Sequence, residues 1–164
     1  MKNQFTFFWG GTFSNWCPSK FTLEGVNFRC VEQYMMWKKA KLFNDEESAK
    51  LILEASNPRD QKALGRTVKN FDTETWNDVC KKFVYDGCYA KFTQNPDLLK
   101  DLMNTGDTEF CEASLEDKIW GVGMSEGDPD ILDKSKWKGT NWLGEVLTAV
   151  REDLKKELQP TTNN

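Results

Sequence analysis

The sequence predicts a mainly α fold with a small β-sheet, as one domain over residues 1–158 followed by a flexible tail at 159–164. Three observations carry this. From residue 31 onward, long runs place apolar residues three and four apart, the helical period. Helix punctuation recurs at Asn57-Pro58, Asp72 and Asn95-Pro96. Period-two alternation is confined to short stretches before residue 30 and near residue 110. A chain of 164 residues can bury roughly two-thirds of its unfolded surface. Its 38% apolar content is modest, but 7 Trp and 11 Phe make each buried residue count for more.

Taken in order, Phe5-Thr6-Phe7-Phe8 reads as a strand. Phe21 and Leu23, then Val26, Phe28 and Cys30, alternate about Glu24-Gly25 as a hairpin. Val31–Phe43 contains no Gly or Pro and reads as helix. Asn44 with Glu47 has the spacing of a capping box, opening a helix through Leu51, Ile52 and Ala55. Asn57-Pro58 starts a short helix that stops at Gly65, and Asp72 caps a long one to about Thr93. Trp76, Cys80, Phe83, Val84, Gly87 and Ala90 form the packed side of that long helix. Asn95-Pro96 opens another, with Leu98, Leu99, Leu102 and Met103, ended by Gly106. Phe110-Cys111-Glu112 reads as a strand, followed by a helical turn around Asp117 and an acidic, loop-like stretch at 125–136. A last helix runs from about Asn141 to Leu158, and Pro160–Asn164 should fray.

Composition narrows the chemistry. A net charge of −4 disfavours generic tracking of phosphate backbones, which takes an excess of Lys and Arg. The chain has no histidine, which removes Ser-His and Cys-His nucleophile pairs and His-ligated metals. No CxxC, GxGxxG or GxxxxGK[ST] motif occurs. No metal site and no cofactor are expected, so carboxylates, lysine, tyrosine or backbone groups must carry any reaction. Met1–Gln4 leads into aromatics and Gly10-Gly11, unlike a signal peptide. No apolar run approaches the roughly 20 residues that span a bilayer. Five scattered cysteines then read as reduced thiols in a cytoplasmic protein, with Cys80 and Cys88 as small buried hydrophobes. Nothing sets the oligomeric state.

The anomaly is in Val31–Phe43. At about 100° per residue, Met35, Met36, Leu42 and Phe43 share an arc, while Gln33, Trp37, Lys38 and Lys41 fall off it. Glu32 and Lys39, seven residues apart, point the same way to within roughly 20°, into that arc. Seven residues rise about 10 Å, long for an ion pair and close to the width of a small ligand. Charges at such positions are paired or used. The plain alternative is Glu32 paired with another basic residue and Lys39 reaching to water.

Other polar residues sit in apolar company. Ser14 and Asn15 lie between Phe13 and Trp16, either as a capped turn or as ligand contacts. Arg66 follows the helix-ending Gly65, placed for a phosphate, a carboxylate or a surface ion pair. Asp117 and Trp120 share a helical face, with Gly121 and Gly123 beyond them able to let backbone N–H groups approach a ligand. The alternative there is a capping Asp with a core Trp.

These residues meet a family. Glu32-Gln33-Tyr34-Met35-Met36-x-x-Lys39-Ala40-x-Leu42-Phe43, Leu64-Gly65-Arg66, Phe71-x-x-x-x-Trp76, Ala90-Lys91-Phe92-x-Gln94-Asn95, Glu112-Ala113-Ser114, Asp117-x-x-Trp120-Gly121 and Asn141-x-Leu143-Gly144 resemble the YbiA-like, or NADAR, family. The resemblance covers about Phe7 to Leu154. Two departures are minor: Leu115 stands where the family often has proline, and Trp142 lies within its Asn-Leu-Leu-Gly motif.

The resemblance implies a mainly helical N-glycosidase. One expected substrate is ADP-ribosylated guanine, in single-stranded DNA or as a nucleotide. The other is a phosphoribosylamino-pyrimidine intermediate of riboflavin synthesis. Lys39 is expected as a Schiff-base nucleophile and Glu32 as acid/base, with Asp117 as the second proton carrier. In a rival route the carboxylates stabilise an oxocarbenium-like state and activate water, and Lys39 acts only electrostatically. Arg66 is expected at a phosphate, Trp120 at a base or sugar, and Ser14, Asn15 and Asn141 at hydroxyls. Glu112 joins the binding set, and the Gly121 and Gly123 backbone is expected at a phosphate. Rival readings are an ADP-ribose-binding module without cleavage, a structural or partner-binding protein, and a metal-dependent hydrolase, for which the carboxylates lack ligand spacing.

Overall fold

A computed structural model describes residues 4–159. The reading of Met1–Gln4 therefore falls outside it up to Asn3, as does the expected fraying of Pro160–Asn164. The described residues are mainly helical and gather in two compact units. One comprises Gly10–Leu98; the other comprises the strand segment up to Trp9 together with the chain from Leu99 onward.

In the Gly10–Leu98 unit, β2 (Phe21–Leu23) and β3 (Val26–Phe28) form the expected hairpin, antiparallel with Leu23 opposite Val26. Both turn residues have positive φ, 54° at Glu24 and 74° at Gly25, the requirement of a two-residue turn that matches strand twist. The Glu24 carboxylate is held there by the Tyr34 hydroxyl at 2.9 Å and Lys38 Nζ at 3.1 Å.

Helix α1 (Val31–Leu42) follows, and α2 (Glu46–Glu54), α3 (Pro58–Gly65) and α4 (Thr73–Gln94) all pack against it. Its first six residues are all buried, Gln33 included. This corrects the placement of Gln33 off the packed arc. A helix enclosed by three others has no outer face in its first turns, so Gln33 is satisfied internally. Its Oε1 accepts from the Arg29 N–H at 2.8 Å, and its Nε2 donates to the Ile52 carbonyl at 3.1 Å. Each large apolar side chain buried here, such as Phe28, Ile52 or Phe92, contributes roughly 1.5–3 kcal/mol.

Asn57 and Asp72 cap their helices as expected. Asn44 does not. It takes a left-handed conformation, φ 58°, that ends α1, and Asp45 caps α2 by accepting from the Ser48 N–H and hydroxyl. An Asn–Glu spacing resembles a capping box, but Asn is also the residue that most readily leaves a helix with positive φ.

Helix α5 (Pro96–Asn104) carries the chain into the other unit. There β1 (Phe5–Phe8) pairs in parallel with β4 (Glu109–Glu112), Phe5 opposite Glu109. The expected single sheet is thus two separate two-stranded sheets among the described residues. Phe5, Cys111, Ala113, Val122, Met124 and Ile131 form one core cluster, with Trp137 against Phe5. The stretch expected as loop at 125–136 contains two short 3-10 turns, Pro129–Leu132 and Lys134–Lys136. Helix α6 (Trp142–Leu158) lays Leu143, Val146, Leu147, Val150 and Leu154 against β4 and its surroundings. Arg151, 1% exposed, is bound by Thr105 Oγ1 at 2.9 Å and by the Thr108 carbonyl.

Candidate active site

The candidate chemistry of the Gly10–Leu98 unit begins where α1 starts. Cys30 provides no side-chain cap, so the first-turn N–H groups need other acceptors. The Glu32 N–H donates to the Asn15 carbonyl at 3.0 Å, joining the helix to the 11–17 loop. Glu32 is 5% exposed, and its carboxylate lies in the first turn, where the helix dipole favours negative charge.

Two turns on, Lys39 is half-buried. Its Nζ stands 4.4 Å from the Phe71 ring centroid and 5.8 Å from that of Trp76. Desolvation by this apolar, aromatic company holds its pKa below the usual lysine value. The charge of Glu32 pulls it back up, and that of Arg66 pushes it down further. Burial thus outweighs the carboxylate, in the direction an amine nucleophile needs.

The aromatic wall is itself fixed. Phe71 meets Phe43 edge-on at 5.4 Å. Two residues before Phe71, the Lys69 N–H donates to Asp45 Oδ2 at 2.9 Å. That bond, with those from Ser48, holds the Asp45 carboxyl down at about 2.

Arg66 owes its place to Gly65. A Cβ on Gly65 would overlap the Met36 side chain, so glycine is what lets the end of α3 lie against α1 one turn before Lys39. Arg66 continues the helical course, donating its N–H to the Lys62 carbonyl at 3.2 Å. Gly65→Ala is expected to destabilise the protein by about 1–3 kcal/mol through overpacking. Urea unfolding checks this, and Met36→Ala in the same chain should recover part of the loss, since the two positions share one contact.

The 11–17 loop is pinned by a residue given no role from sequence. Lys91 is 1% exposed, and its Nζ donates to the Thr12 carbonyl at 2.6 Å and the Ser14 carbonyl at 3.1 Å. Burial lowers its pKa. Ser14 Oγ accepts from the Trp16 N–H at 3.1 Å, a turn that shapes the loop and leaves the hydroxyl proton to donate. Asn15, 7% exposed, differs: its Oδ1 is buried with no hydrogen-bond partner among the described residues.

The remaining expected residues lie in the other unit. Asp117 is not on a helical turn. Its Oδ1 accepts from the N–H of Ile119 at 2.9 Å and Trp120 at 2.8 Å, an Asx turn whose spacing imitates a helix. Trp120 packs edge-on against Trp142, centroids 5.7 Å apart. Gly121 and Gly123 are both buried, and their close approaches are to this chain. A Cβ on Gly121 would sit 2.9 Å from the carbonyls of Asp117 and Glu112, and one on Gly123 would sit 3.1 Å from Lys118 and Lys138 side-chain atoms. Asn141, φ 54° and 1% exposed, donates from Nδ2 to the Phe110 carbonyl and accepts at Oδ1 from the Glu112 N–H. These two bonds make the Asn141 amide a clamp on β4. Glu112 is half-buried, its N–H held by that clamp.

Burial raises the thiols of Cys30 to about 11 and of Cys88 and Cys111 to about 12, and raises that of Cys80, so none of these four is a ready nucleophile. Among the described residues no three of Cys, Asp and Glu gather as a metal-ligand set, and no helix is long and apolar enough to cross a membrane. A cleft of about 540 Å³ includes Leu51 and Leu64 in its lining, and one of about 480 Å³ includes Lys20 and Arg29. Neither includes Glu32 or Lys39.

The sequence singles out Glu32, Lys39 and Arg66 as candidates but gives no role to Phe71, Trp76 and Lys91, which the structure places beside Lys39 or beneath the 11–17 loop. Phe71-x-x-x-x-Trp76 was visible as a motif, but nothing local ties it to Lys39.

Known proteins are similar to this chain over most of its length. The chain is 42% identical over 146 residues to an N-glycosidase of Acanthamoeba polyphaga mimivirus, covering 86% of each. It is 39% identical over 158 residues to protein irg-1 of Caenorhabditis elegans, covering 87% of this chain and 74% of that one. The solution structure of the E. coli protein YbiA superposes with a TM-score of 0.79 at 24% identity, over 100% of this chain and 94% of that one, which establishes the shared fold. The family model of the NADAR domain matches residues 7–155, nearly all of the described chain and every site motif within it, and the chain accordingly belongs to the NADAR family.

Proposed function

We propose that this chain is an N-glycosidase that hydrolyses the bond between a ribosyl carbon and an amine nitrogen, removing ADP-ribose from guanine. The observation that carries the reading is the Lys39 amine, half-buried over Phe71 and Trp76 with its pKa lowered by desolvation. The rings attract the charged form, but desolvation still lowers the pKa, and a larger neutral fraction is what an amine nucleophile requires.

The steps follow from the chemistry of a glycosylamine. Glu32 gives a proton to the ring oxygen as the C1–O bond breaks, leaving an iminium between C1 and the base nitrogen. The neutral Lys39 Nζ adds to C1. A proton passes from Nζ to the base nitrogen, the C1–N bond breaks with its electrons on that nitrogen, and the base leaves as a free amine. C1 is now an iminium on Lys39. Water adds to C1, Glu32 taking one of its protons. The remaining hydroxyl proton passes to Nζ as the C1–Nζ bond breaks with its electrons on Nζ, which restores the Lys39 amine and releases an aldehyde sugar that recloses. The net change is one water consumed per base released.

Arg66 serves a phosphate of the sugar. Asn15 Oδ1, buried without a partner among the described residues, accepts from a sugar hydroxyl. The assignments made from sequence to Glu112, Asp117, Trp120, Gly121 and Gly123 stand as proposals within their own unit.

Product analysis tests the reading. The protein is incubated with an oligonucleotide bearing ADP-ribosylated guanine and, separately, with a phosphoribosylamino-pyrimidine. Release of unmodified guanine and ADP-ribose is expected from the first, at the higher kcat/KM. Preference for the pyrimidine reassigns the substrate, and base release from neither removes the enzymatic reading.

A further inference from the structure

One feature of the Gly10–Leu98 unit has no part in base release itself. Trp16 is 42% exposed, although it directly follows the buried Asn15. Lys62 Nζ lies 6.0 Å from the centre of its ring. Lys62 and Arg66 are four apart on one helical course, so their side chains neighbour each other on that surface.

The three are set in a fixed frame. Gln61, fully buried, accepts from Cys30 Sγ at 3.2 Å and donates to the Ala55 carbonyl at 2.9 Å, fixing α3 at the start of α1. Gly65 fixes its other end against Met36. Lys91 fixes the loop that bears Trp16. Lys62 thus has an exposed indole beside its ammonium and Arg66 as its neighbour one helical turn on, and the charge of Arg66 is felt at Lys39.

We propose that Trp16, Lys62 and Arg66 form an outer subsite for the distal half of a nucleoside-diphosphate ribose, its aromatic base on the Trp16 ring and its pyrophosphate between the two cations. An aromatic face accepts any base by stacking, and a cation beside it favours a diphosphate over a single phosphate. This rests on the reading of the enzyme as one acting on ADP-ribosyl groups. The subsite makes the second nucleotide of the substrate a source of selectivity: a lone ribose phosphate reaches only Arg66.

Calorimetric titration with ADP-ribose and with ribose 5-phosphate tests it without turnover. The wild type is expected to bind ADP-ribose at least about tenfold more tightly, a typical effect of one base stacked on an aromatic side chain. Trp16→Ala should remove most of that ratio, Trp16→Phe should keep it, and Lys62→Ala should weaken ADP-ribose more than ribose 5-phosphate. Equal losses for both ligands, or a ratio unchanged in Trp16→Ala, overturn the proposal. So does an unmodified single-stranded oligonucleotide that binds with the same dependence on Trp16. If the ratio behaves as stated while no base is released from any substrate, the subsite stands and the glycosidase reading fails.

Discussion

Lys39→Met is expected to lower base release by on the order of 10³-fold or more, the scale on which a covalent nucleophile is missed, while the protein stays folded. Methionine keeps the length and fills the space beside Phe71 and Trp76, where a thioether packs well on rings. Lys39→Arg separates the two routes: it keeps a positive charge but cannot form the iminium. If arginine sustains turnover, the amine was only electrostatic and the carboxylate route holds. Borohydride added during turnover should leave one ribosyl adduct on the wild type, at Lys39, and none on either variant.

The same substitution has a stability signature with a definite sign. The pKa of Lys39 is lowered from its ordinary 10.5, so between the folded value and 10.5 the unfolded chain binds more protons. Wild-type stability therefore rises with pH across that window, and below it the folded protein carries the cost of a poorly solvated ammonium. Lys39→Met removes that cost. Its stability relative to wild type should be greatest at neutral pH and decline toward 10.5, which urea unfolding at pH 7 and pH 10 would show. Loss of activity through unfolding would instead show lower stability at both.

What the sequence disclosed follows from how far each signal reaches. The Glu24-Gly25 turn, the Asn57 and Asp72 caps and the strand Phe5–Phe8 depend on neighbours within four residues, and all were legible. Glu32 and Lys39 were legible because the helical period sets both into apolar company whatever surrounds the helix. Gln33 was misplaced by the same rule, since a period describes one packed side and α1 is enclosed by α2, α3 and α4. The turn at Asp117 imitates helical spacing because an Asx turn satisfies the N–H groups two and three residues on. Gly121 signals a close approach, but a sequence does not say to what; the neighbours are the carbonyls of Asp117 and Glu112. Lys91 was hidden most completely. A lysine in a helix reads as solvated, and only the return of a loop 77 residues away gives its ammonium two carbonyls.

Glu32→Gln is expected to cut kcat by about 10²- to 10⁴-fold, the range of a positioned proton carrier. Its size alone would not exclude a structural role, because the carboxylate also sits in the first turn of α1, where losing it costs about 0.3–1 kcal/mol. The pH profile separates the two. On the proposed route turnover is expected to rise as Lys39 loses its proton, so that the rising limb of kcat/KM reports its pKa. The charge of Glu32 raises that pKa and the charge of Arg66 lowers it. Glu32→Gln should therefore move the limb to lower pH, and Arg66→Gln should move it to higher pH. Opposite displacements from two neutralising changes require both groups to act on one amine. A general loosening of the fold would move both limbs the same way or neither, and that outcome would remove Glu32 and Arg66 from the electrostatics of the reaction.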